Sequence, residues 1–531
     1  MELSSFSDSF LSLLAPVVAI ILAVVTRKVL WSLGAGIVAG SLLLTGFNPI
    51  NTLQYIYESF LGVFWEEGAL ALGNIYILLF LVVLGILTSL ISISGGARAF
   101  GEWARHRVKT RQGSQMMTVF LGVLIFIDDY FNSLAVGSIS RPLTDRQGVS
   151  RAKLAYLIDS TAAPICVLTP ISSWGAYIIG VVAGIMAAHE VQSISAIQSF
   201  LSMVPMNLYA VFALAMVICV ACFDLNIGPM QKHEAKAREG ELFDHNKGTP
   251  PGAPELKEDE HGRVADLVLP IVTLIIATVG VMMWTGNTAL ADEGLPFSIL
   301  GAFEYTSVTT SLIVGGLIGL TFTAVRLINR NISMDIWQEA VVEGSKSMLP
   351  AIYILVFAWV LTGIIGHLET GKYLAGLVES SHISPSFLPL ILFVVSGIMA
   401  FATGTSWGTF GIMLPIAGDM AAAADIAMLL PSLAAVLAGA VFGDHCSPIS
   451  DTTILSSTGA SCHHIDHVTT QLPYALVIAL VSMIGYTIMG ITASVMSGFI
   501  ASTIAFVAVI LVFRKISKAN CVLVTGHLSG S

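Results

Sequence analysis

Repeated apolar runs, many of them close to the roughly 20 residues that a helix needs to cross a bilayer, constrain this chain more than any other feature. A segment in lipid must satisfy its backbone hydrogen bonds internally, so it forms a helix unless its residues alternate like barrel strands, which these do not. Only 11% of the residues are charged, against about 25% in a soluble domain. We therefore predict an all-α polytopic membrane protein. The runs lie near 11–26, 31–45, 74–93, 115–127, 130–140, 154–188, 203–222, 267–284, 307–325, 349–366, 385–402, 409–417, 426–442, 473–496 and 498–513.

The remaining composition excludes several kinds of partner. The net charge of −10 lies largely in one soluble loop and in short segments between the runs, and no basic patch with interleaved aromatic residues indicates nucleic acid. Six scattered cysteines indicate small buried thiols rather than a disulfide framework. The first ten residues lack the basic region of a cleavable signal peptide, so we expect the first apolar segment to be retained. Lipid is the expected surrounding, and no cofactor is predicted.

The positions of Lys and Arg predict the topology, because basic residues are enriched in cytoplasmic loops. The basic pair at 27–28 places the N-terminus outside, and Arg514, Lys515 and Lys518 place the C-terminus in the cytoplasm. Basic clusters on both sides of 115–140 keep both ends of that segment inside, which predicts a re-entrant hairpin with IDDYFNS at its tip. Segment 385–417, divided by ATGTSWGT, is predicted to be a second hairpin that enters from outside.

Two further apolar segments contain polar breaks with proline. Segment 154–188 is interrupted by DSTAAPICVLTPISSWG, and 426–460 contains GDHCSPISDTTILSS. Proline removes a backbone donor, so both segments are predicted to be discontinuous transmembrane helices. The order of spans, hairpin and broken helix then occurs twice with opposite orientation, as in secondary transporters with inverted repeats. The predicted domains are a first repeat at 1–223, a mobile cytoplasmic polar linker at 224–266, a second inverted repeat at 267–497 and an extra C-terminal helix and tail at 498–531.

Polar residues at the breaks of the first half are candidate ion ligands. Adjacent carboxylates in a low-dielectric site repel, so one of them should take up a proton or a cation. Unwound backbone would add carbonyl oxygens. An ordinary loop turn at the tip, and helix capping by Asp159, are the alternatives. The candidates are Asp128, Asp129, Asn132 and Ser133 at the tip, and Asp159, Ser160 and Thr161 where the helix is predicted to unwind.

The second half offers hydroxyls at its tip and two further carboxylates around Pro448. Hard cations such as Na⁺ prefer oxygen ligands. Histidine as a residue type titrates near neutral pH, so His445 is a candidate proton relay, with a packed histidine as the alternative. A plain Gly/Thr turn is the alternative for the tip. The candidates are Thr403, Thr405, Ser406 and Thr409 at the tip, and Asp444, His445, Ser447, Ser450, Asp451 and Thr452 at the helix break.

The order of these motifs resembles the NhaC-type Na⁺/H⁺ antiporter family of the ion-transporter superfamily. The resemblance runs from roughly residue 70 to 495 through FIDDYFNSL, SRAKLAYLIDSTAAPICVLTPISSWGAY, ATGTSWGTFGIMLPIA and GDHCSPISDTTILSSTGA. It implies Na⁺/H⁺ exchange in a bacterial cytoplasmic membrane. It also implies kinship with transporters that form dimers with an elevator-like moving domain.

The expected function is therefore exchange of Na⁺ for H⁺, with the two ions competing for the same carboxylates. The alternative is a Na⁺-coupled exchanger or symporter of a small organic acid, amino acid or amine. An intramembrane enzyme would need one compact nucleophile–base set, whereas polar breaks occur in both halves, so no enzymatic activity is expected. Cys462, His463, His464, Asp466 and His467 lack the second half of a zinc-site pattern, so no transition metal is predicted.

Overall fold

The computed structural model describes most of the chain, and helices dominate it. The described residues are 5–26, 28–66, 68–96, 99–100, 102–103, 108–126, 129–170, 172–190, 194–251, 261–328, 333–370, 372–373, 376 and 385–528. One small departure from the predicted all-α fold is an antiparallel pair of two-residue strands, Trp65–Glu66 and Ala69–Leu70. Asp128, one of the predicted ligands, lies outside the described residues.

The helices are numbered in chain order, and short 3₁₀ turns join some of them. Up to the end of the first predicted repeat they are α1 Leu14–Thr26, α2 Val29–Leu44, α3 Pro49–Gly62, α4 Leu72–Ile93, α5 Arg111–Leu124, α6 Asp129–Arg146, α7 Arg151–Leu168, α8 Ser173–Ala188, α9 Ala196–Met203 and α10 Leu208–Phe223. The later helices are α11 Pro229–Arg238, α12 Ala265–Asp292, α13 Ile299–Glu304, α14 Val308–Ile328, α15 Met334–His367, α16 Leu388–Thr403, α17 Ser406–Ala424, α18 Leu429–Cys446, α19 Asp451–Gly459, α20 His464–Thr492 and α21 Val495–Leu528.

Several of these helices are long and apolar enough to cross a membrane. Among the described residues, six segments meet both conditions, and α9 with α10 forms a further pair bent by 54°. This confirms the multi-span helical membrane protein. The six segments are Leu72–Ile93, Ala265–Asp292, Val308–Ile328, Ile426–Cys446, His464–Thr492 and Val495–Ser517.

The two proline-containing segments are both interrupted, one where expected and the other further along the chain than expected. The second is interrupted at 447–450, around Pro448. The first was expected to unwind at Asp159–Thr161, and this prediction is wrong: α7 runs unbroken through Pro164 to Leu168. The helix ends at Leu168 and α8 begins at Ser173, and Thr169 is extended ahead of Pro170. A residue before proline is driven out of the helical region by the proline ring, which explains this position.

Small residues allow the helices that carry the polar motifs to approach closely. A Cβ on Gly137 of α6 would lie 2.4 Å from the carbonyl carbon of Gly459 on α19. Similarly, a Cβ on Gly443 of α18 would lie 2.1 Å from the carbonyl oxygen of Gly397 on α16. Contacts of this kind are the usual means by which membrane helices pack, because lipid supplies no hydrophobic driving force between them. They bring α6, α19, α18 and α16 into one polar-centred bundle.

The connecting segment between the predicted repeats is largely folded. Its residues 224–251 and 261–266 are described, and they include helix α11. Met230 and Ala237 of α11 are buried, as is the carboxylate of Glu234. The expected mobile linker is therefore wrong for 224–247, which packs against the ends of the helices that carry the candidate site.

Candidate functional site

Asp159 is the centre of the polar interior. It lies on continuous helix and is fully buried. Its Oδ1 accepts a hydrogen bond from Ser456 Oγ at 2.9 Å, and its Oδ2 lies 3.3 Å from His467 Nε2 and 3.5 Å from Thr453 Oγ1. The Gln471 amide also donates to Oδ2. Helices α7, α19 and α20 therefore meet at this one carboxylate.

Asp444 is a second fully buried carboxylate, at the end of α18. Ser450 Oγ donates to its Oδ1 at 3.0 Å, and Thr452 Oγ1 donates to its Oδ2 at 2.6 Å. Thr453 Oγ1 lies 3.4 Å from the Asp444 carbonyl oxygen as well as near Asp159. The interruption at Pro448 makes this possible, because α19 can fold back and present its first-turn hydroxyls to the end of α18.

Asp451 supplies a third carboxylate at the first position of α19. Tyr130 of α6 donates a hydrogen bond to its Oδ2, and its own Oδ1 accepts from the Thr452 amide at 2.8 Å. Negative charge is favoured at a helix N-terminus by the aligned peptide dipoles. Asp451 is partly buried, whereas the other two carboxylates are fully buried.

Among the described residues, histidine is the basic side chain that lies beside these three carboxylates. In the described parts of the chain, no Lys or Arg forms an ion pair with Asp159, Asp444 or Asp451. His467 contacts Asp159, and His445 bonds through Nδ1 to the Tyr209 hydroxyl at 3.0 Å. Placing an uncompensated charge in a low-dielectric interior costs several kcal/mol per ion even after relaxation. The arrangement therefore favours a bound cation or a proton.

The tip of the first hairpin contributes differently from what was expected. Asp129 begins α6, and its Oδ1 accepts from Trp174 Nε1 at 2.9 Å. The Asn132 amide donates to the carbonyl oxygens of Gly122 and Ile125 at 2.6 and 2.7 Å, which closes the turn between α5 and α6. Ser133 reaches the main network through Ser456 Oγ at 3.0 Å, and Tyr130 of the same predicted tip reaches it through Asp451.

The tip of the second hairpin presents its backbone rather than its hydroxyls to the site. Thr403, Ser406 and Thr409 each donate to a backbone carbonyl, and Thr405 supplies the carbonyl that accepts from Thr409. Ser447 Oγ donates to the backbone carbonyl oxygen of Phe401 at 2.8 Å, which connects the end of α16 to the break after α18. These hydroxyls are not arranged around the carboxylates in this conformation.

The hydroxyl of Thr161, two residues after Asp159 on α7, also turns towards backbone. Thr161 Oγ1 bonds to the carbonyls of Leu157 and Ile158, both at 2.9 Å, and packs against Gly122 of α5. Ser160 is buried beside it. Asp159 is therefore the member of the DSTAAP motif that enters the polar network.

Sequence reasoning did not assign five side chains that hold the carboxylates. A usable signal existed for two of them, because His467 and Gln471 are four residues apart and share one face of a helix. The other side chains of the Cys462–His467 stretch have separate partners. His464 lies 2.8 Å from the Pro448 carbonyl, and Asp466 binds Lys247. The five unassigned residues are Tyr130, Thr453, Ser456, His467 and Gln471.

A many-helix membrane protein whose buried carboxylates meet at a broken helix belongs to the class of secondary transporters. Comparison with known proteins agrees. The sequence profile of the Na⁺/H⁺ antiporter family matches residues 165–491, more than half of the chain. The chain belongs to the Na⁺/H⁺ antiporter family.

Individual relatives support the same assignment. A protein of unassigned function from Haemophilus influenzae is 49% identical over 97% of both chains. The malate-2H⁺/Na⁺-lactate antiporter of Bacillus subtilis is 35% identical over 159 residues, which are 29% of this chain and 32% of that protein. A Na⁺/H⁺ antiporter of H. influenzae is 32% identical over 29% of this chain and 32% of its own length. The last two matches therefore cover about a third of each relative.

Proposed function

We propose that this protein exchanges Na⁺ for H⁺ across the bacterial cytoplasmic membrane. The observation that carries the proposal is the group of Asp159, Asp444 and Asp451, which Thr452 and Thr453 connect and which lacks a Lys or Arg partner among the described residues. Na⁺ is a hard cation that suits carboxylate and hydroxyl oxygens. When Na⁺ leaves, a proton that forms an O–H bond on one carboxylate restores the charge balance, so the two ions compete.

The repeated contacts of the two halves support an inverted repeat. Each predicted hairpin approaches the broken helix of its own half: Phe126 O accepts from Cys166 Sγ, near the end of α7, at 3.3 Å, and a Cβ on Gly404 would lie 2.7 Å from Ile449 O at the break after α18. The second arm of each hairpin packs on the second piece of the other half's broken helix, α6 on α19 and α17 on α8. Such exchange of partners is expected when two repeats are related by a pseudo-two-fold axis.

The proposal extends to topology and movement. Repeats at 1–223 and 267–497 would carry two re-entrant hairpins, with residues 224–266 in the cytoplasm and 498–531 as an added helix and tail. The N-terminus would lie outside and the C-terminus in the cytoplasm. Elevator-type movement in a homodimer would expose the carboxylates to each side in turn, with Na⁺ and H⁺ as the transported ions and no additional cofactor.

A Na⁺-coupled exchanger or symporter of a small organic solute is the second candidate. The observation that favours it is Gln471, a buried amide beside Asp159 whose Oε1 has no hydrogen-bond partner among the described residues. An amide at the site could recognise a carboxylate or an amine. The similarity to a malate–lactate antiporter in B. subtilis points the same way.

Purified protein in liposomes separates these two candidates. We expect an imposed Na⁺ gradient to produce an opposite movement of protons without organic solute, and the apparent KM for Na⁺ to rise as the pH falls because protons compete. K⁺, malate, lactate and basic amino acids are added in turn. Proton movement that requires one of the organic solutes would replace the first candidate by the second.

The Gln471→Leu variant tests the amide beside Asp159. A hydrogen bond to a charged group contributes about 1.5–3 kcal/mol, so we expect exchange at low Na⁺ to fall roughly 10–100-fold. The measurement is the initial rate of proton movement against Na⁺ concentration. Gln54→Leu, at an exposed position on α3, is the matched control. Equal rates in both variants would remove Gln471 from the site.

A further inference from the structure

The connecting segment that follows α10 is anchored by a buried cluster of charges outside the candidate ion site. Lys153 of α7 is fully buried, and its Nζ lies 2.5 Å from Asp224 Oδ1, 2.9 Å from Asn226 Oδ1 and 3.4 Å from Glu234 Oε2. All three acceptors belong to the connecting segment. A buried lysine with three oxygen partners on one neighbouring segment makes a specific attachment.

The same carboxylates bind the first residue of α5. Arg111 forms an ion pair with Glu234, and its Nε lies 3.8 Å from Asp224 Oδ2. Glu234 Oε1 also accepts from the Ser150 amide at 2.8 Å, immediately before α7. Two cations therefore face two carboxylates, with Lys153 and Glu234 buried and Arg111 and Asp224 partly exposed, and the segment joins the beginnings of α5 and α7.

Asp224 stays ionised in this cluster. Burial alone would raise its pKa, but Lys153 and Arg111 outweigh that effect and hold the pKa well below its ordinary value. The attachment is accordingly present at neutral pH.

A second attachment reaches α20. Lys247 Nζ lies 2.6 and 2.7 Å from the two carboxylate oxygens of Asp466, the residue before His467. The Arg151 amide at the start of α7 donates to Leu242 O at 3.1 Å. The segment thus holds α5, α7 and α20. Two of these helices carry Asp159 and its donors His467 and Gln471, and the third packs on α7.

The lever is short. Lys153 and Asp159 are six residues apart on one continuous helix, roughly 9 Å along its axis at 1.5 Å per residue. Deeper in the bundle, Gly122 of α5 meets Thr161 of α7 so closely that an added Cβ would lie 2.1 Å from Thr161 Oγ1. A shift of α5 or α20 relative to α7 would therefore change the surroundings of Asp159 directly.

We propose that residues 224–247 are a positioning element for the ion site, which acts through the ion pairs of Lys153, Arg111 and Lys247 to hold α5, α7 and α20 in the register that Na⁺ binding requires. The inference rests on the proposed function for its transport readout. It assigns a role in setting the affinity for the ion to a segment expected to be a passive linker.

Four variants test this proposal in the full-length protein. Lys153→Met removes the buried cation, and Lys247→Met removes only the attachment to α20. Lys153→Met with Asp224→Asn restores charge balance without restoring the attachment, which keeps the test possible if the single variant does not accumulate. Lys236→Met is the control, because Lys236 pairs with Glu241 inside the same segment at an exposed position.

Transport in liposomes gives the first readout. Partners that orient a metal ligand typically change affinity by roughly 10–100-fold when removed, so we expect the KM for Na⁺ to rise about tenfold in both Lys153 variants and severalfold in Lys247→Met, with a smaller change in kcat. Lys236→Met should match the unaltered protein. A KM that stays unchanged in the double variant and in Lys247→Met overturns the proposal.

Amide hydrogen exchange gives a readout that does not depend on the transported ion. We expect faster exchange over 111–124 and 151–161 in the Lys153 variants than in Lys236→Met. If the unaltered protein moves no Na⁺, the proposed function fails, and this exchange pattern alone decides whether the segment positions the helices. Identical exchange in all variants overturns the inference.

Discussion

Na⁺/H⁺ exchange should be nearly abolished in Asp444→Asn, while the protein still folds. The substitution keeps the size of the side chain, and Ser450 and Thr452 can still bond to it, one hydroxyl donating to the amide oxygen and the other accepting from the amide nitrogen. It removes the negative charge. A unit charge about 4 Å from a cation contributes about 4 kcal/mol at an effective dielectric constant of 20, so the apparent affinity for Na⁺ should fall by roughly a thousandfold.

The measurement is Na⁺-driven proton movement and radioactive Na⁺ uptake in liposomes, with protein content matched. Asp419→Asn is the control, because that carboxylate is largely exposed and pairs with His189 at the surface. Exchange that persists in the Asp444 variant at the level of the Asp419 variant would mean that the ion binds elsewhere.

A second large effect is expected from Gly459→Val. A Cβ at this position would lie 2.3 Å from Ser133 O, a backbone atom that cannot move without shifting all of α6. Overpacking of this kind commonly costs about 1–3 kcal/mol, and separating two helix backbones costs more. The shift would also break the 3.0 Å contact between Ser133 and Ser456, which connects the first hairpin to the carboxylates.

We expect the Gly459 variant to accumulate poorly in the membrane and to lose exchange, with a lower melting temperature in detergent for any protein recovered. Gly184→Val is the matched control, since nothing lies within 4 Å of a Cβ there. Similar melting temperatures for the two variants would show that α6 and α19 can separate without loss, contrary to the packing described.

Comparison of the two proline-containing segments explains how much local sequence could predict. Pro448 was correctly expected to interrupt a helix. Pro164 lies in an equally polar stretch, yet α7 continues through it. A single proline removes one donor, which neighbouring groups in a packed bundle can replace. Pro170, the other proline of the same stretch, does coincide with the break, because it drives Thr169 into an extended conformation.

The connecting segment shows a different limit. Its Gly, Pro and charged residues favour a mobile linker when considered alone. Its acidic residues instead form ion pairs with basic residues on helices that are up to 123 residues away in the chain, as in the part-buried pair of Arg111 and Glu234. Composition does not reveal such partners.

The sequence by itself determined the helical membrane class, the family and the polar motifs that carry carboxylates, because hydropathy and motif order are local properties. It did not determine that Asp159 accepts hydrogen bonds from Ser456 and Gln471, or that Asp129 accepts one from Trp174. Spacing along a helix decides which residues share a face, but only packing decides which helix lies opposite that face. The site is therefore a property of the tertiary structure, made where α7, α19 and α20 meet.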